Sequence, residues 1–566
     1  MYHKKMEVVK YIWKHKSLLI LIIVYAFLSL SFIVGNGEYN CLQGVCGLHI
    51  GNWHLHDAMW HLALVKMSFN QFPFIHPEMS GAYLNGYNYL LDLVIFGLTK
   101  LGLPALFVFF KLLPILFIPL YAYLLIRFAR AQRDSFVHVW WLLFFMFFGS
   151  SFTYLVTLFR AHTLYYAAIK GFPVVTSIQP GLIFLNLQFA YSLLACLGIM
   201  LLIDRKHGWK QNILIGILVF VATSLKFYGG VVAMSLIGIY ELLSVWEHKK
   251  ITTTLSNIVL PSCFFLVSIL LFYKSSGQSL ASPFAFAPLA MVHVMIEDPN
   301  MFYNHDLTNA RYFLYQHGGF SPRLIAIETY SIMLFLLVNY GTRLLFLLYL
   351  PIKILQKKFS RLQIAMLVTI MLTTLMPILF VQDGGWFNTM QFLYYGVFLS
   401  SFFAAEALAT LVQNKKRIFL ILAIVVIALT IPNDIEQLRY IAAPQVVIPQ
   451  GELDALNFLA KAPKGVVFTS YAHKKTAYIS ALSGQQTWFV DVDQLMVTHT
   501  DYVEREKLVL RPWLIDPEAI DATYWYIVKK GDGAAEEYNT YTEKLQGLSN
   551  FKLIFSNDTV DLYQKD

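Results

Sequence analysis

Residues 17–35 read SLLILIIVYAFLSLSFIVG, an unbroken apolar run. A helix of about 20 such residues crosses a hydrocarbon core of about 30 Å. Lys4, Lys5, Lys10, Lys14 and Lys16 precede the run. Basic residues are retained on the cytoplasmic side, so the N-terminus is predicted to be cytoplasmic. No small-residue cleavage site separates the run from Cys41, so it reads as a retained anchor and not a removed signal.

The rest of the 566 residues extends the pattern: 57% are hydrophobic, only 14% are charged, and mean hydropathy is +0.56. A soluble chain carries about 25% charged residues. Aromatics reach 16%, as expected where rings line a bilayer interface. Disordered, collagenous and disulfide-dense secreted classes are excluded. Further apolar runs lie near 105–126, 137–158, 181–204, 212–225, 228–247, 254–273, 329–352, 361–382, 389–412 and 417–432. Five basic clusters sit between them: Arg127, Arg130 and Arg133; Arg205, Lys206 and Lys210; Lys249 and Lys250; Lys353, Lys357, Lys358 and Arg361; and Lys415, Lys416 and Arg417. Placing all five in the cytoplasm puts loops 36–87, 160–180, 274–328 and 383–388 outside and gives eleven crossings. Residues 89–103 are apolar but short and read as a tilted or partial helix; a full span there would make twelve.

Charge divides the chain. Residues 1–433 carry 30 basic and 15 acidic residues, whereas 434–566 carry 13 and 19. The sequence therefore predicts a polytopic α-helical membrane module over 1–433. A soluble α/β domain of about 130 residues follows over 434–566, on the extracytoplasmic side. In that tail 451–461 reads as a helix. Residues 465–470, 488–490 and 524–528 read as strands, and 551–556 with 559–563 as a hairpin. No motif in the tail carries chemistry, so a docking or lid role is its plain reading. No clustered basic face points to nucleic acid. Cys196 and Cys263 lie inside apolar runs as packing residues. Cys41 and Cys46 flank a short loop; outside the cell they would form a disulfide.

The first polar loop holds the densest chemistry. Residues 52–92 bring His54, His56, Asp57, His61, His76, Glu78 and Asp92 beside a membrane. Residues 57–70 read as an interfacial amphipathic helix opened by Asp57, with His61 one turn on. His54, His56, Asp57 and His61 also offer nitrogen and oxygen donors suited to Zn²⁺ or Mn²⁺.

The pattern H-D-A-M-W-H-L-A (56–63), followed by G-A-Y-L-N-G-Y-N-Y (81–89), resembles the first outer loop of GT-C fold glycosyltransferases, polytopic enzymes that use polyprenyl-phosphate sugars. I-Q-P-G-L-I-F-L-N-L-Q-F-A (178–190) resembles the start of a family helix, and S-L-K-F-Y-G-G (224–230) a lysine-bearing break between short helices. W-F-N-T-M-Q-F-L-Y-Y-G (386–396) resembles a late loop entering a helix, and the tail resembles the C-terminal domain of bacterial members.

The resemblance implies a sugar transferase of a bacterial inner membrane. Its donor would be a polyprenyl-phosphate sugar and its acceptor a glycan, lipid or protein. It implies inversion at the anomeric carbon by single displacement, with Asp57 as general base. His61, Tyr87, Lys226, Arg311, Arg323, Trp386 and Gln391 would contact substrate, Lys226 and the arginines through phosphate. Relatives often carry an arginine where this chain has Gln391. Some members use a divalent metal and others none, so the sequence fixes no cofactor. For Asp57 the alternative role is a helix cap; for Lys226 it is snorkelling to headgroups. Gly229 and Gly230 read as a helix break that admits a ligand.

Two other classes remain open at this point, a lipid or glycolipid flippase and a non-catalytic scaffold. Transporters carry ionisable residues and broken helices mid-membrane. Here the helix centres read as nearly free of charge, and polar density lies in the loops.

Overall fold

The computed structural model describes residues 2–42, 44–164, 182–204, 208–248, 251–273, 284–317, 321–356, 359–382, 385–442, 446–470, 476–529 and 534–566. Arg205, Lys206, Lys249, Lys250, Lys357 and Lys358 lie outside these residues, as do parts of the loops 160–180, 274–328 and 383–388 and the start of the 178–190 motif.

Among the described residues, seven helices are long and apolar enough to cross a membrane: Ala105–Gln132, Phe227–Glu247, Thr254–Tyr273, Pro322–Leu355, Arg361–Leu379, Trp386–Gln413 and Arg417–Glu436. A pair bent by 102°, Val8–Lys14 with Lys16–Leu30, is an eighth if it forms one span. Phe136–Phe148, Leu187–Ile203 and Trp209–Leu225 are apolar but shorter. These elements coincide one for one with the eleven apolar runs of the sequence. Of the 11–12 spanning helices expected, seven or eight reach spanning length among the described residues. Helices of 13–17 residues are shorter than the roughly 20 that a bilayer core requires. Leu90–Lys100 is a short helix, as read from residues 89–103. The chain is a multi-pass membrane protein.

Contacts divide the chain into two compact units, the first comprising Met1–Phe32, Ile115–Leu270 and Ser279–Ala442. Its centre is the helix Met390–Gln413, buried along most of its length. Charge is present inside this unit, contrary to the reading of nearly uncharged helix centres. Arg343 is buried and donates to Ser401 Oγ at 2.8 Å and to the Gly149 carbonyl. Lys353, read as part of a cytoplasmic basic cluster, is buried against Glu406 at 2.6 Å. Both of these buried cations have partners, as a low-dielectric setting demands.

The second unit comprises Ile33–Pro114, Leu271–Gln278 and Ala443–Asp566. The first loop thus folds with the tail, and the boundary expected at 433/434 falls inside the helix Arg417–Ala442. Two sheets organise this unit. In one, the hairpin Glu38–Leu42 and Val45–Ile50 pairs antiparallel with Val446–Pro449, so tail backbone completes a loop sheet. Cys41 and Cys46 face each other across the hairpin and are disulfide-bonded. The other sheet has five strands in the order Gln486–Thr487, Val466–Thr469, Tyr524–Val528, Val560–Lys565 and Phe551–Ser556. Its first three strands run parallel and its last two form the antiparallel hairpin read from the sequence. Phe468, stacked 4.1 Å from Trp525, sits in the core beneath.

Candidate active site

The helix carrying Asp57 spans Asn52–Lys66 and starts at Gly51, whose extended backbone ends the preceding strand and whose N–H bonds Asn36 Oδ1 at 2.7 Å. Asp57 therefore lies in the second turn and does not open the helix. It is not the cap of this helix, because a side-chain cap must sit at the residue before the first turn. The interfacial, half-polar reading is also corrected: every residue from Ala58 to Val65 is buried. Trp60 packs edge-on against Tyr87 at 5.3 Å. One turn beyond Asp57, His61 Nδ1–H donates to Asp92 Oδ2 at 2.9 Å, with both side chains out of solvent. His54 is in this helix, with its side chain outside the described set. Asp57 itself keeps a 39% exposed side chain at the edge of this packed helix.

The segment after the helix, H-P-E-M-S (76–80), is laid along the tail sheet by backbone pairing. Thr487 N–H donates to the Pro77 carbonyl at 3.1 Å, Val490 N–H to the Glu78 carbonyl at 2.9 Å and Ser80 N–H to the Trp488 carbonyl at 3.3 Å. Arg505 adds a bond to Ser80 Oγ at 3.0 Å. His76 accepts from Glu78 N–H through Nδ1 and donates through Nε2 to Thr498 Oγ1 at 3.1 Å. Burial pushes its pKa down to about 3, so it is neutral at physiological pH.

This register brings together the residues on which the site rests. Asp491 follows the paired strand in a left-handed conformation with φ 57°, which short polar side chains adopt more readily than others. Its Oδ1 caps the helix Val492–Val497 through Gln494 N–H and accepts from His56 Nε2 at 2.9 Å. His56 Nδ1 lies 3.9 Å from Asp57 Oδ1. Burial works against a charged His56, but hydrogen bonds and charge from Asp491 and Asp57 outweigh it and push the pKa up to about 10. Glu78 is fully buried against Asp491; burial first, and then the Asp491 charge, hold its carboxyl well above the usual range. Donor atoms of His56, Asp491 and Asp493 lie within 4.8 Å of one another. Of the donor set His54, His56, Asp57 and His61 read from the sequence, the His54 side chain lies outside the described residues, and the group found among those described is His56 with Asp491 and Asp493. His61 is engaged by Asp92, and the donors joining His56 come from the tail. Acidic residues in the tail passed unnoticed because D-V-D after a strand is ordinary helix-start chemistry. Only the fold shows what stands opposite.

The other candidates lie in the first unit. Lys226 is buried in the extended break between helices Trp209–Leu225 and Phe227–His248, which agrees with the lysine-bearing break read from the sequence. Two residues on, Tyr228 donates to Gln382 Oε1 at 2.6 Å and packs 4.8 Å from Phe392, fastening the break to the late loop. Gly229 and Gly230 are not the break; they lie inside the following helix. A Cβ at Gly229 would collide with Ser192 Oγ and Tyr395, and one at Gly230 with Thr223, so these glycines permit close helix packing and not ligand approach. Trp386 is exposed, and Gln391 donates to Asn388 Oδ1 at 3.1 Å. Arg311 is buried with its Nε 2.8 Å from Glu297, whereas Arg323 is exposed at the start of the helix Pro322–Tyr340.

The arrangement is that of a polytopic membrane protein with a GT-C fold. No family model matches the sequence, and none of the curated proteins compared with it does. Solved structures do. The chain is similar to the oligosaccharyltransferase of Archaeoglobus fulgidus in its apo form, with a TM-score of 0.51 at 10% identity over 91% of this chain and 70% of that one. The same enzyme in complex with Zn and sulfate gives 0.51 at 12% identity, covering 96% and 73%. Tethered to an acceptor peptide containing the NVT sequon, it gives 0.50 at 11%, covering 98% and 74%. At such identities the likeness is one of fold.

Proposed function

We propose that the chain is a membrane glycosyltransferase that moves a sugar from a polyprenyl-phosphate-linked donor to an acceptor on the extracytoplasmic face. Asp57 takes the proton of the acceptor group. The acceptor atom then forms a bond to the anomeric carbon, and the bond from that carbon to the phosphate oxygen breaks. The lipid phosphate leaves with the electron pair, and configuration inverts. The observation that carries this reading is the position of Asp57. It is a half-exposed carboxylate in the second turn of a helix otherwise packed in place, which is what a positioned base requires. The fold supports it, being that of an oligosaccharyltransferase whose solved forms include one with a tethered acceptor peptide.

Lys226 is proposed to hold the donor phosphate as a point charge, with Arg323 as a second cation and His61, Tyr87, Trp386 and Gln391 shaping the substrate sites. Arg311 belongs to the same proposal, but Glu297 already engages its guanidinium, so it would have to exchange partners. The basic clusters and the disulfide support a cytoplasmic N-terminus and an extracytoplasmic tail. The test is transfer of radiolabelled sugar from a polyprenyl-phosphate donor panel by purified protein. Lys226→Ala should raise the donor KM more than it lowers kcat.

A further inference from the structure

We infer that His56, Asp491 and Asp493 form a binding site for a divalent cation of the Mn²⁺ or Zn²⁺ class, by which the tail fastens the helix that carries Asp57. One imidazole nitrogen and two carboxylates have donor atoms within 4.8 Å of one another. Mixed nitrogen and oxygen donors suit these ions better than Ca²⁺ or Mg²⁺, which prefer oxygen alone.

A cluster of this kind could be a simple ion pair, but the atoms left over point to a ligand. His56 Nε2 bonds Asp491 Oδ1, and its Nδ1 lies 3.9 Å from Asp57 Oδ1. Asp491 Oδ2 is buried and accepts no hydrogen bond. Glu78, also fully buried, faces Asp491, and neither of its carboxyl oxygens accepts one. Asp493 adds another carboxylate from the exposed first turn of the helix that Asp491 caps. Buried charges are paired or coordinate metals, and the single imidazole answers Asp491 through Oδ1 alone. A cation between Asp491, Asp493 and His56 would answer these carboxyls. A proton shared by Glu78 and Asp491 is the competing solution.

The donors come from segments more than 400 residues apart, so the ion would act as a clasp. Ile448 and Pro449 already pair with the loop sheet, and 76–80 with the strand before Asp491. The metal would tie the first turns of the Asn52–Lys66 helix to the tail, and with them Asp57. That consequence rests on the proposed role of Asp57; the binding itself does not.

The test uses the full chain in detergent, stripped with EDTA and desalted, with MnCl₂ followed by electron paramagnetic resonance and ZnCl₂ by calorimetry, without substrate. One ion per chain is expected, along with a rise in thermal midpoint on metal addition. Asp493→Asn, at an exposed position that should not disturb folding, and His56→Gln should each weaken binding by about tenfold or more and abolish the metal-dependent rise. No saturable binding by the wild type, or binding unchanged in both variants, overturns the site; the first outcome leaves the shared proton as the account of Glu78. Loss or survival of sugar transfer in Asp57→Asn bears on the proposed reaction and leaves this result untouched.

Discussion

Replacing Asp92 by leucine tests how the helix of Asp57 is held. Asp92 is completely buried and accepts from His61 Nδ1–H at 2.9 Å, one turn from Asp57. A hydrogen bond to a charged group contributes about 1.5–3 kcal/mol, and a buried donor left without a partner costs about 1–3 kcal/mol. Leucine at 92 removes the acceptor and strands the imidazole N–H, so the single variant should lose about 2–4 kcal/mol. Replacing both partners by apolar groups of similar shape is close to neutral. The double variant His61→Phe/Asp92→Leu should therefore lie within about 1 kcal/mol of the wild type. For domains of roughly 150–250 residues each kcal/mol moves a midpoint by about 2–4 °C. The single variant should then fall by at least about 4 °C, and the double should recover most of that. Unfolding of a two-unit membrane protein is not two-state. The assay is accordingly a ranking of the temperatures at which monodisperse protein is lost in one detergent. If the losses of Asp92→Leu and of His61→Phe, each measured alone, simply add in the double variant, the pair is not coupled and the account of how this helix is held fails.

Three further outcomes follow from particular contacts. His76 is held neutral with a pKa of about 3 against an ordinary 6.5, so the unfolded chain binds the extra proton between these values and stability falls as pH drops through that window. At pH 5 the loss is about 2 kcal/mol. His76→Gln should flatten the acid limb of a midpoint-against-pH profile, and an unchanged limb counts against the assignment. The raised His56 contributes no slope there, since its stabilisation is fully present below 6.5 and is lost only as pH rises toward 10. Gly229→Ala places a Cβ against Ser192 and Tyr395, so monodisperse yield should drop sharply; normal yield would mean that the helices have room to part. Lys226→Ala, assayed as above, should affect donor saturation before turnover, and an effect on acceptor KM alone would remove Lys226 from the donor site.

The membrane helices were legible because a bilayer leaves so few options. Each apolar run in the sequence became a helix, and only length separates the full spans from the short ones. The tail strands at 466–469 and 524–528 were equally plain, since buried strands write continuous β-branched and aromatic runs. Less legible was the start of the Asp57 helix. The polar letters of N-W-H-L-H hid a helical turn that tertiary packing enforces, and the acidic residue drew the boundary to itself. Gly229 and Gly230 were read as conformational freedom when their role is to let two helices approach. The partnership of His56 with Asp491 had no local signal at all. It depends on a register between segments that periodicity cannot connect, and with it goes the grouping of the first loop with the tail.

The central claim is that Asp57 is the base of a sugar transfer. Asn at this position keeps the shape of the side chain and, as Gly51 is the N-cap of this helix, leaves that cap unchanged. The decisive measurement is single-turnover transfer from a polyprenyl-phosphate sugar by Asp57→Asn and wild-type protein of matched thermal midpoint, with the anomeric configuration of the product read by NMR. The account predicts an inverted product from the wild type and a rate about 10²–10⁴-fold lower in the variant. Near-wild-type transfer by Asp57→Asn, or a product of retained configuration, would contradict it.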